Sequence, residues 1–182
     1  MEVLEAIKTR RSIRKYKADP VDDQTLETVL DAARWAPSWA NTQCWRFIVV
    51  RDSTTKSKLA DTLNETNPAR DAVRNAPLVI AACAELGKAG HKDGVAVTDK
   101  GDWFMFDVAL AMHNLVLAAH SLGLGTVYVG RFNAKEAAGI LALPEGYCFV
   151  ALTPLGYPDE TKDPRPRKEL PEIVFYDKWG TR

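Results

Sequence analysis

The amino-acid sequence predicts an α+β fold built around one small sheet. Three observations carry that reading. Helical and strand patterns follow one another without the regular alternation that builds a parallel α/β sheet. The longest helical stretch, Asp102 to Leu122, is apolar on most sides, as a central helix packed on several partners must be. The 182 residues, 46% hydrophobic and 26% charged, are enough for one domain with a real core and lie in the ordinary globular range.

Each element has its own local reason. Val3, Leu4 and Ile7 share the spacing of a short amphipathic helix over residues 2–9. Ser12 to Tyr16 reads as extended. Asp22 and Asp23 can cap a helix whose Leu26, Val29, Leu30 and Ala33 follow the helical period. APSWANTQC (36–44) carries proline, serine and asparagine punctuation and predicts a loop. WRFIVVR (45–51) is β-branched and aromatic and predicts a buried strand. Ser53 can cap a helix running to Leu63, and residues 68–76 predict a further helical piece. PLVIAACAE (77–85) is the second strand. Leu86 to Lys100 is polar and glycine-rich without periodicity, a mobile loop. Gly123 suits the C-terminal cap of the long helix. TVYVG (126–130) reads as a third strand, Asn133 caps a short helix to Leu141, and YCFVALTPLG (147–156) is the fourth strand. Beyond Pro158 the chain is rich in proline and basic residues until LPEIVFYDKWG, whose apolar groups need a surface to pack on.

Composition narrows the function classes. No run of eighteen apolar residues occurs, so no membrane span is expected. MEVLEAIKTR is amphipathic and lacks the apolar core of a signal peptide. Cys44, Cys83 and Cys148 are odd in number and widely spaced, which predicts free thiols and a cytoplasmic location. The 24 Lys+Arg balance 24 Asp+Glu. A neutral chain of pI ≈ 6.8 argues against nucleic acid as partner, since a phosphate backbone is met by a broad basic surface.

Against that neutrality, RRSIRKYK (10–17) places five cations in eight positions. It is either a solvated basic face or the seat of a small anion. A second group, Arg165 and Arg167, sits among stiffening prolines in DPRPRK. Guanidinium forks suit bidentate phosphate binding, and Ser12 adds a hydroxyl donor. Other chemistry is thin. His113 and His120 lie two turns apart with no Cys, Asp or Glu placed to complete a metal site, and His91 stands alone, so no metal is expected. The cysteines have no local base signature, and LGLG ends a helix where a phosphate loop would open one. Paired carboxylates are confined to solvent-type helix faces and caps. A phosphate-bearing cofactor that brings its own reactivity explains both the arginines and the missing catalytic residues.

The ordered set RRSIRKYK, APSWANTQCW, DWFMFDVALAMHNLVLAAHSLGLGTVYVG and PRPRKEL ending in WG resembles the flavin-dependent nitroreductase family over nearly the whole chain. The resemblance implies a nitroreductase-like fold, a central, mostly antiparallel sheet flanked by helices. It also implies a homodimer that exchanges its C-terminal arms. Residues 1–182 would form a single FMN-binding domain, with 158–182 as the extended arm. FMN would lie at the subunit interface, NADH or NADPH would donate, and a nitroaromatic, quinone or similar small molecule would accept two electrons in a ping-pong cycle. No side chain is then needed as catalyst.

By the same resemblance, Arg10, Arg11 and Ser12 meet the phosphate and ribityl chain, and Arg14 stands near the flavin pyrimidine. Pro37, Ser38, Asn41 and Gln43 form a loop that reaches the ring held by the neighbouring subunit. Tyr128, Val129 and Gly130 pass the ring through backbone groups, and Arg165 and Arg167 return to the phosphate. Cys44 stands where the family has proline, which bears on the loop's path. Physical logic supports Arg14: reduced flavin gathers negative charge over its pyrimidine, and a fixed cation stabilises it. The alternative for Arg14 is an ordinary surface ion pair. Trp39 and Phe104 are as readily core residues as pocket walls. A specialised branch, such as reductive dehalogenation or flavin fragmentation, usually adds a lid for which 86–100 is short. A non-catalytic binder of flavin or another phosphorylated ligand is the alternative from a different class. No Rossmann fingerprint is present to carry a choice between NADH and NADPH.

Overall fold

The structure, a computed structural model, describes residues 1–181. Its elements in order are α1 (Val3–Thr9), α2 (Asp23–Arg34), a 3-10 turn (Trp39–Asn41), β1 (Trp45–Val50), α3 (Ser53–Asp61) and α4 (Arg70–Asn75). There follow β2 (Leu78–Glu85), β3 (His91–Lys92), β4 (Val95–Ala96), α5 (Phe104–Ser121) and β5 (Gly125–Thr126). The last are α6 (Ala134–Ile140), β6 (Tyr147–Gly156) and α7 (Leu170–Ile173). The main sheet has the order β1-β2-β6-β5 and every pairing in it is antiparallel.

The alternation of β2 explains the layering. Leu78, Ile80, Ala82 and Ala84 face a core made with Leu26, Val29 and Ala33 of α2 and Val108, Ala111, Leu115 and Val116 of α5. Val79, Ala81 and Cys83 face the other way, into a core with Leu59 of α3, Val73 of α4 and Ala137 of α6. A strand buried on both faces has no polar alternation, which is why its sequence is a continuous apolar run. Helices therefore cover both faces of one antiparallel sheet, the α+β arrangement the sequence predicts.

Several elements differ in detail. The cap of α3 is Asp52, one residue before Ser53: its carboxylate accepts from the Thr55 N–H and hydroxyl at 2.7 Å each. A carboxylate at the helix N-terminus also meets the positive end of the helix dipole. β1 is an edge strand, so only Trp45 and Val50 are buried along it. TVYVG does not run as one strand: β5 stops at Thr126, and a single bridge, Val129 to Leu152, follows. The segment 86–100 contains a hairpin whose two-residue turn is Asp93-Gly94, with φ of +51° and +78°. Asp-Gly is the favoured dipeptide for such a turn, so the signal was present. The apolar residues of α1, Val3, Leu4 and Ile7, are exposed, and only Ala6 of that helix is buried.

α5 is the only described helix long and apolar enough to cross a membrane by length and composition. It is instead the central helix of the fold, packed on α2 and on the sheet through seven buried residues.

Candidate functional site

The arginine-rich segment is laced into the end of the sheet from both sides. Ser12 bridges Thr126 beside β5, and the Ile13 N–H donates to the Thr126 carbonyl at 2.9 Å. Tyr16 bridges Pro158, the Lys17 N–H donates to Tyr157 O at 2.9 Å, and the Asp159 N–H donates to Lys15 O at 2.9 Å. Residues 158–167 thus begin their path alongside residues 12–17. Glu160 fastens the join, accepting from the Arg14 N–H at 2.6 Å and pairing with Lys162 at 2.7 Å. Burial works to raise the Glu160 pKa, but the bonds from Lys162 and Arg14 outweigh it and hold the carboxyl below its ordinary value.

This lacing creates a cavity of about 590 Å³ lined by Arg10, Arg11, Ser12, Arg14, Arg165 and Arg167, with Lys162, Asp163, Pro164 and Pro166. The size suits a cofactor-sized ligand. Elsewhere Arg34, Arg46, Arg51, Arg70 and Arg74 each pair with a carboxylate at 2.6–2.9 Å. Among the described residues, none of the five cavity arginines does. Arg10 Nη1, Arg11 Nε and Arg14 Nε are buried with no acceptor among the described residues, a condition that outside the cavity only Arg70 Nε shares among the described arginines. A buried donor without a partner carries a desolvation cost, so three in one cavity call for a ligand with several acceptor oxygens and negative charge. Arg14 makes no ion pair among the described residues.

The other residues singled out in the sequence do not line this cavity within one chain. Pro37 and Ser38 line a small aromatic hollow of about 240 Å³ with Trp39, Trp103 and Phe106. Asn41 and Gln43 line another, of about 310 Å³, with Arg34 and Trp35. Ala40, Asn41 and Gln43 take the left-handed φ values +43°, +57° and +49°, and the Gln43 N–H donates to Ser38 Oγ at 3.0 Å. Tyr128 is partly exposed, with its hydroxyl 3.3 Å from His113 Nδ1. Burial pushes that phenol up to about 12, against a smaller opposing pull from nearby Arg10. Val129 is buried and pairs its backbone with Leu152, while Gly130 is exposed with open space where a Cβ would stand.

Two groups escape a reading of the sequence. His120 meets Thr9 Oγ1 at 2.8 Å, and burial first, then Arg10 and Arg11, lowers its pKa. Asp107 is a buried carboxylate, 1% exposed, and stands outside the paired carboxylates that the sequence assigns to solvent faces and caps. Burial raises its pKa despite the bond from the Trp39 N–H. Its position at i−4 from Ala111 and i−8 from Leu115, along a buried stripe, is the signal that could have found it. Cys44, also fully buried, is pushed up to about 12 by desolvation and by Asp107, so its thiol stays protonated and unreactive at neutral pH.

The sequence-family model described as the nitroreductase family matches residues 7–157. The chain belongs to the nitroreductase family. The crystal structure of a nitroreductase family protein from Clostridium novyi NT is 35% identical, with a TM-score of 0.79, over 100% of this chain and 96% of that one. An NADH dehydrogenase of Thermus thermophilus is 33% identical over 92% of each chain. An FMN-dependent nitroreductase from Clostridium difficile R20291 is 27% identical, with a TM-score of 0.80, over 96% of this chain and 99% of that one. The antiparallel sheet covered by helices on both faces is thus a nitroreductase fold, and its arginine cavity lies where the matched region meets the segment beyond it.

Proposed function

We propose that this nitroreductase-family chain is an NAD(P)H-dependent flavin oxidoreductase that holds FMN and reduces nitroaromatic, quinone or similar small-molecule acceptors. The observation that carries the reading is the trio of buried guanidinium nitrogens on Arg10, Arg11 and Arg14 that have no partner among the described residues. A terminal phosphate offers the charge and the acceptor oxygens they lack. FMN, when bound, supplies the two-electron chemistry between a nicotinamide nucleotide and the acceptor, in ping-pong order.

The chain's own residues then have separable tasks. Arg10, Arg11, Ser12, Arg165 and Arg167 clamp the phosphate end. Arg14, whose backbone is pinned by Glu160, offers a fixed positive charge to the ring system. Tyr128, Val129 and Gly130 border the ring, with Val129 held by its bridge to Leu152. The loop bearing Pro37, Ser38, Asn41 and Gln43 does not line its own chain's cavity, which fits a loop that serves the cavity of a second subunit. We therefore take the working unit to be a homodimer with exchanged arms. Each chain is one FMN-binding domain over 1–182 with the arm from 158, and it works in the cytoplasm without nucleic acid or membrane partners.

The test is direct. Purified protein should be yellow, with about one FMN per chain, and should bleach anaerobically with NADH or NADPH before an acceptor restores the colour. FAD as the released pigment, or no pigment after reconstitution, defeats the reading. A flavin that neither nucleotide reduces makes the chain a binder and not an enzyme.

A further inference from the structure

The loop from Trp39 to Cys44 contains three residues in the left-handed region, Ala40, Asn41 and Gln43. Such conformations cost an L-residue energy and persist only where the surroundings over-determine them. Two side chains hold it: Ser38 Oγ accepts from the Gln43 N–H at 3.0 Å, and Asp107 reaches both ends of the stretch. Both oxygens of Asp107 accept from the Trp39 N–H, at 3.2 and 3.0 Å, and Cys44 Sγ lies 3.8 Å from Oδ2. Trp39 and Cys44 are the two ends of the contorted stretch, so a single carboxylate fastens both. It stands on the first turn of α5, the most extensively packed helix of the fold.

Packing alone does not explain this residue. Asp107 is 1% exposed and no cation pairs with it among the described residues. A buried carboxylate without a countercharge is costly, and an apolar side chain would fill the space at lower cost. What an apolar residue could not do is accept the Trp39 N–H, which the turn leaves without a backbone partner. We infer that Asp107 is a positioning residue: by fastening Trp39 and Cys44 to α5 it fixes the backbone on which Asn41 and Gln43 are presented to the flavin. The inference rests on the flavin reading above. Asp107 itself touches neither Asn41 nor Gln43 and acts on the site through the loop.

The experiment compares wild type, D107A and D107N by FMN titration and by the absorption envelope of the bound flavin. Losing a hydrogen bond to a charged group corresponds to roughly ten- to hundredfold, and D107A should weaken FMN binding by that order and alter the envelope. D107N keeps an oxygen for the Trp39 N–H and should stay within about threefold of wild type. A folded D107A with wild-type affinity and spectrum overturns the inference. Equal loss in both variants also overturns it, by making the charge and not the anchor the operative property.

Wild-type protein gives a further measurement should D107A fail to fold. The Trp39 amide should resist hydrogen exchange with and without FMN, while FMN slows exchange at Asn41 and Gln43. A Trp39 amide exchanging as fast as the exposed turn at Gly94 overturns the anchor. A protein that takes up no flavin defeats the functional reading instead, and Trp39 protection still tests the anchor.

Discussion

Arg10 meets the cavity with a buried Nη1 that nothing among the described residues accepts from. If a phosphate is its partner, Arg10→Ala should lose FMN affinity by about 1.5–3 kcal/mol, the range for bonds to charged groups. Lys17 is exposed and outside the cavity, and Lys17→Ala should change affinity by less than about 0.5 kcal/mol. Equal losses in a fluorescence titration would mean a diffuse basic field and no clamp. Glu160 gives a pH signature at the same place. Its folded-state pKa is depressed, so its bonds to Arg14 and Lys162 stabilise the fold above the ordinary carboxylate value of 4.5. That contribution is lost as pH falls through the depressed value. Unfolding midpoints of wild type and Glu160→Gln should therefore differ at neutral pH and converge as the pH falls below the depressed Glu160 value. The arginines were legible because charge density is written in composition. Glu160 was not, because nothing local shows that position 160 returns to the Arg14 amide.

At the scale of elements, the seat of the arginine segment depends on a missing side chain. A Cβ on Gly125 would stand 2.9 Å from Ile13 Cβ and Cγ2, closer than packed atoms approach. Gly125→Ala should push Ser12 and Arg14 away from β5 and cost about 1–3 kcal/mol in denaturant unfolding, the range for overpacking. FMN affinity should fall with it. Gly139, exposed in α6 with nothing within 4 Å of its Cβ position, is the control: Gly139→Ala should stabilise by about 0.5–1 kcal/mol. A Gly125→Ala protein of wild-type stability and affinity would show the strand contact to be slack. Helices α2 and α6 were legible from their capping residues, α5 from its length and apolar composition, and β2 and β6 from their largely continuous apolar runs. β5 and the Val129 bridge were not separable by eye, since TVYVG has the composition of a continuous strand. What interrupts it is pairing: only Thr126 and Val129 find partners on β6 and its neighbours.

The whole molecule leaves more apolar surface uncovered than one chain should. On the arm, Leu170 is 70%, Tyr176 66% and Trp179 88% exposed, and a capping box from Glu169 and Glu172 holds the short α7 in shape. Val3 and Leu4 are each 69% exposed on α1, a helix that adjoins α5, which itself exposes Met105 and Phe106. Surface of this kind is what a subunit interface would cover. The cavity gives the same indication from its chemistry, since the loop with Asn41 and Gln43 does not line it in its own chain. A two-fold pair would cover the helices, seat each arm on the partner and complete each site with the other chain's loop. Truncation after Lys168 keeps Arg165 and Arg167 but removes α7 and the aromatic end of the arm. It should therefore cost dimer and flavin together, read by sedimentation and by FMN titration on one preparation. A truncated chain that sediments as a monomer with full FMN affinity would place the entire site within one subunit. A truncated dimer with full affinity would leave the pairing to α1 and α5 and remove the arm from both tasks.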